Sequence, residues 1–192
     1  MSDKKIIIKE VKNTGFIFEP DNPKDYISRL GAITTTLLEE PPIIFSDGHG
    51  WHAETVRAKS EMQFNNNFDT FACTVYGTAK ALVAYLKKVY GVETTVSEMF
   101  NAFYAGVVYG RGTSVRAALE SFRLKGWVKD EDYPFTSTIT VTQFFKEAPL
   151  KIQIMAKGKL TEWNVHWEAI DQSGNVPHSK IIKALKQTIV LC

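Results

Sequence analysis

Between residues 73 and 90 the chain reads CTVYGTAKALVAYLKKVY, and Val75, Ala79, Leu82, Val83, Leu86 and Tyr90 recur there at i, i+4, i+7, i+8, i+11 and i+15. That spacing lines one face of a 3.6-residue helix, so a core-facing helix is expected around which the other elements must pack. Gly91 is its predicted C-terminal cap. Cys73 falls in the first turn, and Asp69 or Thr70 is placed to cap it. The remaining orphan N–H groups and the positive end of the helix dipole are then expected to favour the thiolate, the nucleophilic form. The alternative is that Cys73 is a small buried hydrophobe, the ordinary state of a free cysteine.

Further helices follow. In TTVSEMFNAFYAGVVYG, Thr95 and Glu98 have capping-box spacing, and Val96, Phe100, Phe103, Tyr104 and Val107 form an apolar face. A break at Gly110-Arg111-Gly112 leads to TSVRAALESFRLK, expected to bury Val115, Ala118, Leu119 and Phe122 and to stop at Gly126. The dipeptide WV at 127–128 reads as a short extended piece, and KDEDYPF as an acidic, solvated turn. A helix from TVTQFFKEAPL to about Lys159 must be interrupted at Pro149. TEWNVHWEAI alternates like a strand, PHSKIIKALKQ reads as a short capped helix, and TIVLC as the start of a buried strand. The N-terminal part, with KKIIIKEV as a short strand, is expected to be an arm or satellite over residues 1–50, beside a main domain over 51–192.

The totals narrow the function classes. With 192 residues, 44% of them hydrophobic, the chain can fill one well-packed domain. Its net charge of +2 comes from interspersed charges, so no nucleic-acid partner is expected. No apolar run approaches the ~18 residues of a membrane span, and MSDKKIIIKE lacks the ~7–15-residue core of a signal peptide. No membrane association is expected, and the location read from this is cytoplasmic, or packaged in a particle. The two cysteines make no disulfide framework. His49 and His52, in SDGHGWH, lack the further ligands of a metal site, so neither a metal nor a cofactor is expected.

A Gln, a Cys at a helix start, a second helix, a glycine pair, a third helix and an extended piece leading to YPF follow one another from about Glu61 to Phe135. This series resembles the papain-like cysteine peptidase superfamily. The finer pattern of Trp51, Glu61-x-Gln63, FDTFAC, Gly77, GRGTSVRAAL, GWVKDEDYPF and TQFFKEAP is similar to an offshoot of it in tailed phages and related bacterial genomes. The resemblance implies an α+β fold with a central Cys-bearing helix, a helical half and the start of a β-rich half. It implies Cys73 as nucleophile, Gln63 as oxyanion donor and Gly110 and Gly112 lining a cleft for a peptide or protein substrate. Read from the residues alone, Gln63 is equally a solvated loop residue, and the two glycines a plain helix–helix turn needing positive φ.

The implied site lacks a base. His49 and His52 precede the cysteine, while His166 and His178 precede the predicted last strand. The expectation is therefore a thiol hydrolase domain that is incomplete as given, its C-terminal sheet edge covered by a partner chain or by the arm. The alternative is a papain-like structural or binding module without turnover, such as a phage virion component.

Overall fold

In the computed structural model, residues 63, 68–163, 165–167 and 177–185 are described. They form six helices: α1 (Cys73–Tyr90), α2 (Glu98–Tyr104), α3 (Val115–Lys125), α4 (Val141–Phe144), α5 (Leu150–Glu162) and α6 (His178–Leu185). Among the described residues there is no strand and no sheet, only isolated bridges such as Val108 with Gly112. The expected α+β, papain-like architecture is thereby overturned, and with it the peptidase family and the phage offshoot that rested on it. The arm, SDGHGWH and TIVLC lie outside the described residues, as does the sheet edge that a partner chain was expected to cover.

The helices begin and end where local chemistry directs. Gly91, at φ 67°, closes α1 with its N–H on the Lys87 carbonyl, the left-handed cap that glycine adopts at little cost. Ser97, rather than Thr95, caps α2 by accepting from the Phe100 N–H. Thr95 is occupied elsewhere, its hydroxyl accepting from the Asp130 N–H at 3.2 Å. Ser114 caps α3 through the Ala117 N–H. The expected long helix is divided: a Thr140–Gln143 capping box starts the one-turn α4, and Pro149 stands just before α5, where its missing N–H costs nothing.

The hub is α3, which packs against α1, α2 and α5. The Cys-bearing helix is therefore one flank of the bundle and not its centre. One core joins Val75, Ala79 and Leu86 of α1 to Met99 and Ala102 of α2, Ala118 and Phe122 of α3, Trp127 and Phe144. A smaller one holds Phe100, Val128, Ala148 and Ala156. Asn101, fully buried on α2, donates to the Ser121 hydroxyl (3.2 Å) and to the Gly126 carbonyl (2.9 Å), fastening α2 to the end of α3.

The extended piece at 127–128 and the expected strand after α5 show no ladder pairing among the described residues. Trp127 and Val128 send successive side chains into the two different cores, but the Ser97 N–H to the Val128 carbonyl is a single bond between loop and helix cap. Further on, Trp163 and Val165 face the main core, exposed His166 lies between Val165 and Trp167, and Trp167 donates its indole N–H to Glu120 of α3 at 2.6 Å. The strand expected here is not present among the described residues: the Val165 N–H bonds to the Trp163 carbonyl at 2.9 Å, a tight turn, and the apolar side chains meet helices instead of a sheet.

Candidate functional site

The approach to α1 is tightly held. The Thr70 N–H and hydroxyl both donate to the Gln63 carbonyl, at 3.0 and 2.6 Å. Asp69 accepts from the Phe71 N–H at 2.8 Å, and Thr70 from the Ala72 N–H at 3.4 Å. Both side chains expected to cap α1 thus brace the turn before it, and Ala72 stands at the N-cap with no side-chain cap. Phe71 has φ 56°, the one positive-φ non-glycine among the described residues. Left-handed backbone costs a residue with a Cβ ~1–2 kcal/mol, and the Asp69 bond together with a ring contact to Tyr109 holds it there.

Cys73 is the first residue of α1 and is exposed, so it is not the buried hydrophobe that was the alternative. Its thiol is nonetheless pushed above its ordinary range. Water lost where the sulfur lies against protein is the main cause, and the Asp69 carboxylate adds to it; the Thr74 and Cys73 N–H groups pull the other way without prevailing. That direction runs against the expected stabilisation of the thiolate. Among the described residues no imidazole acts on it. Among the described residues there is no sheet of the kind that carries a papain-like site and no catalytic pairing with the cysteine, so the thiol hydrolase assignment and the papain-like module kept beside it are both withdrawn.

Gly110 and Gly112 shape the turn after α2. Gly112 donates to the Val108 carbonyl at 2.9 Å and accepts from the Val108 N–H at 3.4 Å, with φ of 80° and 76° at the two glycines. That is the turn geometry glycine permits. The turn lies beside the start of α1, because Tyr109 meets Phe71 edge-on with ring centroids 5.4 Å apart. Gln63, Cys73, Gly110 and Gly112 are therefore at one end of the fold, gathered without a catalytic arrangement. Among the described residues no three His, Cys, Asp or Glu side chains are grouped to hold a metal ion, and no helix is long and apolar enough to cross a membrane. His49 and His52 are outside the described residues.

What gathers this end is aromatic, and the sequence reading passed over it. Tyr109 also meets Phe68 (6.5 Å) and Phe145 (6.2 Å). Behind them Phe144 touches Phe68 (5.9 Å), Phe135 (5.0 Å) and Phe145 (5.0 Å). Phe68 and Phe144 are buried, Phe71, Phe135 and Phe145 are half-buried, and Tyr109 is 53% exposed beside Val108 at 49%. The cluster thus runs from core to solvent and ends on a tyrosine at the tip of a glycine turn. FDTF, YPF and the FF pair are its trace in the sequence. Comparison with protein-family models, curated proteins and solved structures gives no match.

Proposed function

We propose that this chain is a helical interaction module that docks a peptide or protein segment on its aromatic end, with Phe71, Tyr109, Phe145 and Val108 as the contact surface. The observation that carries this reading is the exposure of Tyr109 on a rigid support of three further rings. Tyrosine is over-represented among the residues that dominate interfaces, since it offers a large apolar face and a polar tip. A ring already held by its neighbours loses little freedom on binding, so more of the contact energy is left for affinity. Phe71 kept in left-handed backbone fits the same picture, as strain of this kind gathers at binding sites.

The test is selection of a random displayed peptide library on the purified chain, followed by affinity measurement on the wild type and on Tyr109→Ser. An apolar or aromatic consensus is expected, with binding to Tyr109→Ser weaker by about 30-fold, the equivalent of the ~2 kcal/mol that defines a dominant contact residue. Circular dichroism should be unchanged, because Tyr109 is at the surface. Absence of a consensus, or equal binding to the variant, would refute the proposal.

A further inference from the structure

The turn that leads into α1 is pinned at every second residue. Phe68 is buried against the rings of Phe135 and Phe144, each with its centroid 5.9 Å away. Thr70, fully buried, is tied to the Gln63 carbonyl by hydrogen bonds of 3.0 and 2.6 Å. Ala72, also fully buried, accepts from the Val75 and Tyr76 N–H groups as α1 begins. Asp69 and Phe71 stand between these anchors, half-buried. Two contacts then set the conformation of Phe71: its N–H donates to the Asp69 carboxylate at 2.8 Å, and its ring meets Tyr109 at 5.4 Å. A side-chain oxygen accepting from the N–H two residues on is an Asx turn, a closure that suits the reach of Asp and Asn.

We infer that Asp69 is the positioning residue of the aromatic end: its hydrogen bond holds Phe71 in left-handed backbone, and the Phe71 ring in turn holds Tyr109 in the orientation that docks a peptide. This rests on the aromatic end being the docking surface. At φ 56° Phe71 occupies a region that a residue with a Cβ populates about 5- to 30-fold less than its ordinary conformations. Without the Asx turn the ordinary conformations are favoured, the ring support is withdrawn from Tyr109, and only the fraction still left-handed can bind. Apparent affinity falls by that fraction. The loss falls on the association rate, because the complex once formed is the same. The role is one of geometry and not of charge. Asn presents the same carbonyl oxygen at the same reach, whereas Glu keeps the charge and carries it one methylene farther out.

The experiment takes peptides selected on the wild type from a random 12-residue displayed library. It measures their association and dissociation rates on Asp69→Asn, Asp69→Glu, Asp69→Ala, Phe71→Gly and the double variant Asp69→Ala/Phe71→Gly, with Tyr109→Ser beside them. Asp69→Asn should bind within about twofold of the wild type. Asp69→Glu and Asp69→Ala should bind about 5- to 30-fold more weakly, with the change in association and not in dissociation. In the Phe71→Gly background, where the ring is absent and the backbone is free to be left-handed, Asp69→Ala should add nothing. Should Asp69→Ala fail to fold, the Asn and Glu variants decide the matter between them. Wild-type binding by Asp69→Glu with loss in Asp69→Asn would show that the charge acts and the geometry does not, and would overturn the inference. It is equally overturned if Asp69→Ala and Asp69→Glu bind as the wild type does, or if the Asp69→Ala loss persists undiminished in Phe71→Gly, and in each case sensitivity to Tyr109→Ser leaves the docking surface standing. A consensus unaffected by Tyr109→Ser, or no consensus at all, removes the docking surface and the inference together.

Discussion

Gly126→Ala should be among the most damaging single-methyl additions this fold can receive. Gly126 ends α3 at φ 77° and ψ −155°, a region that is in practice glycine's alone. Its carbonyl accepts from buried Asn101, and a Cβ built on it would stand 2.0 Å from the Ala156 carbonyl oxygen and 2.7 Å from the carbonyl carbon, both backbone atoms of α5. Backbone cannot turn aside as a side chain can, so α5 must move off α3 or the turn must change its conformation. The conformational strain is worth ~1–3 kcal/mol and overpacking ~1–3 kcal/mol, which sum to about 2–6 kcal/mol. At roughly 2–4 °C per kcal/mol for a chain of this size, a loss of ~3 kcal/mol lowers the melting temperature by about 6–12 °C. Gly158→Ala is the matched control. Gly158 is exposed within α5 with nothing within 4 Å of its Cβ position, so alanine there should stabilise by up to ~1 kcal/mol. Urea denaturation of both variants beside the wild type reads the two signs. A Gly126→Ala variant within ~0.5 kcal/mol of wild type would show that α3 and α5 do not approach as described, and the reasoning would fail.

Two predictions concern pH. The thiol of Cys73, raised chiefly by lost hydration, should alkylate with iodoacetamide along a pH curve whose midpoint lies above the ~8.5 of a free cysteine; a midpoint at or below that value would contradict the environment described here. Glu120 is held below the usual carboxylate range first by its hydrogen bond from Arg123 and also by the one from the Trp167 indole. A depressed carboxyl contributes stability that is present above its unfolded pKa and lost as pH falls through the folded one, so acidification through and below the ordinary carboxyl range should release Trp167 from α3. Tryptophan emission should shift red across that window in the wild type and lose the pH-dependent step in Glu120→Gln, and an identical step in both would discount the contact.

Helix positions were legible from the sequence because their causes are local. The α1 stripe, the Gly91 and Gly126 stops, the interruption at Pro149 and the helix begun by His178 each depend on residues within a turn or two of one another. The same locality explains what went astray. Alternation at Trp163, Val165 and Trp167 states only that these side chains are covered, and the assembled molecule shows that helices meet them and that the chain turns tightly after Trp163 instead of running on as a strand. A cysteine at a helix start implies a thiolate from the dipole alone, but hydration and the Asp69 carboxylate decide its titration, and both depend on how the preceding turn folds back. Nor could spacing reveal the aromatic end, whose rings come from four separate parts of the chain. Residues near in sequence share a backbone that dictates their geometry. Residues far apart are brought together by packing, and packing is a property of the whole.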